Sequence, residues 1–84
     1  MTFEERVAIT YEMFLQAIRE QDLPMSGDQR VDEATAERLV GYAPRTFRRL
    51  RECERAPAAY RLGNRWTYRV RTLAEFVEEN YEGR

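Results

Sequence analysis

The side chains with the most chemistry to offer are arginines. The chain has fourteen of them, with no lysine and no histidine, and ten of the fourteen fall within residues 38–71. A guanidinium stays charged and offers a planar fork of donors, which meets a phosphate or the O6/N7 edge of guanine with two parallel hydrogen bonds. Arg45, Arg48, Arg49 and Arg51 lie in one short run. On a helix, the spacing of Arg45, Arg48, Arg49 and Glu52 makes one contiguous face with Thr46 at its border. Arg61, Arg65 and Arg69 follow in a stretch that alternates apolar and polar residues. Exclusive use of arginine is also what a GC-rich coding sequence imposes, so placement carries more of the signal than residue type.

The absences narrow the chemistry. One cysteine and no histidine exclude an intramolecular disulfide and an ordinary zinc site, and they remove the usual means of activating a nucleophile. The expectation is a non-enzyme with no metal, no cofactor and no small-molecule substrate. Cys53 reads as a small buried residue.

The arginines need elements to position them. Asp32 is an N-cap for a short helix with an apolar face of Ala34, Ala36, Leu39 and Val40, and Gly41 supplies the positive φ that ends it. A turn at Gly41-Tyr42-Ala43 leads to a second helix opened by Pro44, whose missing N–H would be unpaired there anyway. Phe47 and Leu50 should point inward from it. After Pro57, Trp66, Tyr68 and Val70 share one strand face, and Arg65, Thr67 and Arg69 share the other. Gly63-Asn64 suits a two-residue type II′ turn, which sets Arg61 across from a buried Trp66. Helix, turn, helix and β-wing in that order form a shape that docks on DNA with the second helix in the major groove. In that pose Arg45, Thr46 and Arg49 face base edges, and Arg48 and Arg51 face phosphates. Arg61, Arg65 and Arg69 belong to the wing, with Arg65 beside its tip.

The same stretch resembles the MerR-like winged helix-turn-helix domains of the excisionase and small phage regulator family. The matching residues are Ala36, Leu39, Val40 and Gly41, then Pro44-Arg45-Thr46-Phe47-Arg48-Arg49-Leu50. They continue with Pro57-Ala58, Arg61-Leu62-Gly63, Arg65-Trp66, Leu73 and Phe76, and cover roughly half of the chain. The resemblance implies a non-enzymatic, sequence-specific DNA-binding protein that positions or bends double-stranded DNA, in excision or in transcription control. There are three departures. Ala43 stands where the family has a Ser or Thr cap, leaving the first N–H groups of the second helix to water or another partner. Glu54 stands where a glycine closes that helix, so an irregular end is expected. An extra alanine at Ala58-Ala59 lengthens the approach to the wing.

The remaining segments frame this unit. Thr2 and Glu5 make a capping box for a helix running from Phe3 to about Gln21. Its stripe is Phe3, Val7, Tyr11, Phe14 and Ile18, widened by Ala8, Leu15 and Ala17. Residues 25–30 read as a loop. Thr72 and Glu75 make a second capping box for a last helix with an apolar face of Leu73, Phe76, Val77 and Tyr81, and with Glu75, Glu78, Glu79 and Glu82 in solvent. The expected whole is one domain: a mainly α chain with a small β-hairpin, residues 31–80 forming the winged helix-turn-helix and residues 1–22 an added amphipathic helix. That helix either completes the core or serves as a homodimer seam or protein-docking surface.

Charge is strongly segregated behind a net charge of −1. Residues 1–37 carry three arginines and nine carboxylates, residues 38–71 ten and two, and residues 72–84 one and four. A basic middle between acidic ends favours a polyanionic partner for the middle. No apolar run is long enough to cross a membrane, and the acidic start is unlike a signal peptide, so a cytoplasmic protein is expected, and the resemblance implies a prokaryotic or phage-infected cell. Two other functions fit the pattern. One is a small terminase-like DNA-packaging subunit; the other is a phage interaction module or inhibitor that uses the acidic first helix.

Overall fold

The structure, a computed structural model, describes residues 1–83. Its first element, α1 (Phe3–Glu20), begins at the expected capping box: Thr2 N–H donates to Glu5 Oε1 at 2.8 Å, and Glu5 N–H donates back to Thr2 Oγ1 at 3.1 Å. Val7, Phe14, Leu15 and Ile18 are buried, and Phe3 and Tyr11 are half-buried. Ala8 is exposed, and Thr10 takes an inward place instead.

Strand β1 (Arg30–Asp32) runs directly into α2 (Glu33–Val40), for which Asp32 is both last strand residue and N-cap, accepting from Thr35 N–H at 2.8 Å. The strand lies where a loop reaching residue 30 was expected. It has only three residues and one apolar side chain, Val31, too short a run for alternation to register. Gly41 ends α2 in the left-handed region at φ 85°. Ala36 is buried as expected, but Ala34 is exposed, and Thr35 and Glu37 are buried.

Helix α3 (Thr46–Glu52) starts two residues later than the proline suggests. Pro44 and Arg45 form a turn, and Arg45 is the N-cap at φ 71°. Thr46 closes that turn onto Ala43 O, donating from its N–H at 3.3 Å and from Oγ1 at 2.6 Å. Strands β2 (Tyr60–Leu62) and β3 (Arg65–Arg69) form the hairpin, with Arg61 opposite Trp66 and Leu62 opposite Arg65. Gly63 has a positive φ of 64° and Asn64 does not, as a type II′ turn requires. The sheet has three strands rather than two, because β1 pairs with the other edge of β3 and sets Val31 against Tyr68.

The last helix, α4 (Val70–Glu79), follows β3 without a linker and begins two residues before the expected Thr72 cap. Val70 is buried at the junction and its N–H donates to Gln29 O at 2.9 Å, so the helix start is held by tertiary packing rather than by a side-chain cap. Helix α1 lies along α4. Glu78, expected in solvent, accepts from Thr10 Oγ1 at 2.7 Å and pairs with Arg6 at 3.3 Å. One cluster of apolar side chains from α1, β1, α2, α3, β3 and α4 makes the core, with Phe47, Tyr68, Leu73 and Val7 among its fully buried members. No helix among the described residues is long and apolar enough to cross a membrane.

Candidate nucleic-acid interface

Helix α3 has seven residues; a carboxylate from α2 holds its N-terminus and a local backbone closure its C-terminus. At the N-terminus the missing Ser or Thr cap is replaced from outside the helix. The buried Glu37 of α2 accepts from Phe47 N–H at 3.0 Å, placing a carboxylate where the helix dipole favours one. The signal for this in the sequence is slight: Glu37 follows Glu33 by four residues and precedes Val40 by three, which puts it at the inner edge of the stripe. At the C-terminus, Glu54 adopts the left-handed conformation at φ 57°. Arg55 N–H then donates to Leu50 O at 2.8 Å and Glu54 N–H to Arg51 O at 3.0 Å. That is a Schellman closure with glutamate in the glycine position, and the helix end is regular. Cys53 beside it is exposed, not buried. Phe47 anchors the helix through aromatic contacts to Tyr68 at 5.0 Å and Phe76 at 6.0 Å between centroids.

With Phe47 inward, Arg45, Arg48 and Arg49 are exposed, and Thr46 is half-buried with its hydroxyl bound to Ala43 O. Arg48 lies 4.0 Å from Glu52 in an open i, i+4 pair, too exposed to restrain it much. Among the described residues, Arg45 and Arg49 have no carboxylate partner. These side chains and Pro44 line one shallow surface concavity.

Arg51, expected on phosphates, turns the other way. Its side chain is 20% exposed, pairs with Glu33 at the start of α2, and donates to Tyr68 Oη at 2.8 Å. Its guanidinium also lies 4.2 Å from the centroid of the Trp66 ring. Tyr68 Oη donates to Glu33 at 2.5 Å; burial and that hydrogen bond push the phenol well above its ordinary pKa, so it stays a donor. Trp66 is half-buried rather than enclosed, and Arg61 approaches its ring at 5.5 Å, as the cross-strand register requires.

The hairpin presents Arg61, Arg65 and Arg69 as exposed residues. Arg65, opposite Leu62 beside the turn, has no carboxylate partner among the described residues, and neither has Arg61. Arg69 is partly occupied, 3.4 Å from Asp28 and 5.1 Å from the Tyr60 ring. Arg30 joins that group by bonding Asp28 at 2.8 Å and Thr67 Oγ1 at 3.1 Å. Hydrogen bonds from Arg30 and Ser26 hold the Asp28 carboxyl well below the usual carboxylate range. Neither Arg30 nor Asp28 was a candidate in the sequence, because β1 was not.

The group as a whole holds no nucleophile–base pair, and no cluster of metal ligands occurs among the described residues. What it can do is present cations and hydrogen-bond donors from two elements. Comparison of the chain with protein-family models, with curated proteins and with solved structures gives no match.

Proposed function

We propose that this chain is a non-enzymatic protein that binds double-stranded DNA as a winged helix-turn-helix, akin to the excisionase-type regulators it resembles. In this reading α3 enters the major groove, and the β2–β3 hairpin tracks the minor groove or its phosphates. The observation that carries it is that Arg45 at the start of α3, Arg49 on α3, and Arg61 and Arg65 on the hairpin are exposed and have no carboxylate partner among the described residues. Arg19, Arg38 and Arg55 are likewise exposed and without a carboxylate partner among the described residues but lie outside these two elements, while Arg6, Arg30, Arg51 and Arg71 are paired. Arg45, Thr46 and Arg49 would meet base edges, and Arg48, Arg61, Arg65 and Arg69 the phosphates.

A second reading rests on α1. Its outer side carries Ile9 and Met13, 48% and 57% exposed and one helical turn apart, beside Glu12. Such a face suits a protein partner or a second copy. Titration against a random duplex at two salt concentrations separates the two readings: affinity that falls steeply with salt supports DNA binding. No measurable affinity at either concentration moves the function to α1.

A further inference from the structure

The exposed arginines lie on two elements that touch each other little. Helix α3 approaches α2 closely, but its backbone makes no extensive approach to either hairpin strand. Side chains span the gap, among them the Phe47 ring on Tyr68 and the Arg51 guanidinium. From α3 the Arg51 guanidinium reaches two other elements at once, bonding Glu33 of α2 and Tyr68 of β3 and covering the Trp66 ring of β3, while Tyr68 Oη closes the triangle onto Glu33. Trp66 in turn lies against Arg61 of β2.

We propose that Arg51 is a positioning residue: it uses its charge on Glu33 and its plane on Trp66 to fix the hairpin relative to α3, so that both arginine groups meet one duplex together. The proposal rests on the DNA-binding reading for its consequence, but its geometry stands without it. A planar fork that hydrogen-bonds in one direction and stacks in another is a task for arginine that lysine cannot perform. Held in place, the two arginine groups bind without first having to be aligned. When the aligned arrangement falls to about a tenth of the population, apparent affinity falls about tenfold.

The test sets this against the rival role for Arg51, a direct phosphate contact, and uses Glu33→Gln, Arg51→Lys and Arg51→Gln in the full chain. Three quantities are measured: Trp66 emission, amide exchange across residues 60–67, and affinity for a random duplex at two salt concentrations. Positioning predicts that all three variants shift Trp66 emission to the red and speed exchange in the hairpin. It also predicts weaker duplex binding with the salt dependence unchanged. A phosphate contact predicts the opposite sign for Glu33→Gln, because freeing Arg51 from its carboxylate would strengthen binding. It also predicts that Arg51→Lys keeps most of the affinity. Unaltered Trp66 emission and hairpin exchange in Arg51→Lys and Glu33→Gln would overturn the proposal, whatever the DNA result. If the unmodified protein binds no duplex while the variants still loosen the hairpin, the DNA reading fails and the positioning role stands. Should Arg51→Gln fail to fold, the other two variants decide the matter.

Discussion

Two residues of α3's surroundings hold a backbone conformation that side chains with a Cβ avoid: Arg45 at φ 71° and Glu54 at φ 57°. A left-handed residue costs about 1–2 kcal/mol, and glycine escapes that at some cost in unfolded-state entropy. Neither side chain forms an ion pair among the described residues, and the two sites differ in the role proposed for them. The Glu54 side chain makes no hydrogen bond or ion pair among the described residues, and the backbone N–H that bonds Arg51 O is kept by glycine, so Glu54→Gly should raise stability by roughly 0.5–1 kcal/mol and leave duplex affinity unchanged. Arg45→Gly should give a similar gain in the urea midpoint and weaken cognate duplex binding. A residue kept in a strained conformation against stability is what a binding role at Arg45 implies. Urea melts and titrations on both variants check this. A stability loss in Arg45→Gly would show that the arginine serves the fold instead.

At the scale of elements, α1 is part of the core rather than an appendage. It supplies Val7, Phe14, Leu15 and Ile18 to the common cluster, and bonds to α4 through Thr10 and Arg6 on Glu78. Each fully buried side chain of this kind is worth roughly 1.5–3 kcal/mol, comparable in sum to the whole stability of a small domain. Deleting residues 1–22 should therefore abolish cooperative thermal unfolding. A deleted form with an unchanged melting temperature would mean that α1 is an interaction element only. This helix was legible in the sequence because its cap and its stripe agree, and α2 was legible for the same reason at Asp32 and Gly41. The hairpin followed from the Gly63 turn and the alternation after it. Three features were not legible, each for a physical reason. Strand β1 is stabilised by backbone bonds to β3 that no side-chain pattern of three residues encodes. The start of α4 is set by buried Val70 and Gln29 O, which overrides a plausible Thr72 cap. The arginine of α3 that turns inward is Arg51, because its partners Glu33, Trp66 and Tyr68 come from distant elements. Local spacing set Arg51 four residues after the inward Phe47 and apart from the Arg45, Arg48 and Arg49 face, but gave no sign of those partners.

The molecule measures 40 × 31 × 21 Å, so one copy covers about one turn of a duplex, roughly 34 Å. The number of phosphates within reach is correspondingly small. If Arg48, Arg61, Arg65 and Arg69 each neutralise one phosphate, log K should fall against log salt with a slope of about −3.5. Between 50 and 200 mM salt that is about a hundredfold loss of affinity, readable by fluorescence anisotropy on a random duplex. Arg65→Ala should make the slope shallower by about one and weaken every sequence alike. Arg49→Ala should instead cost about 1–3 kcal/mol on the cognate site and less on random DNA, lowering specificity. The control belongs on α4, which supplies none of these arginines. Glu79 of α4 is exposed and forms no ion pair among the described residues, whereas Glu78 is tied to α1 and would report on folding. Glu79→Gln should shift affinity by no more than a few tenths of a kcal/mol, the weak influence of one exposed, screened charge that is not part of the proposed interface. A shallow slope for the unmodified protein, unchanged by Arg65→Ala, would mean that the exposed arginines serve solubility and that the acidic helices carry the function.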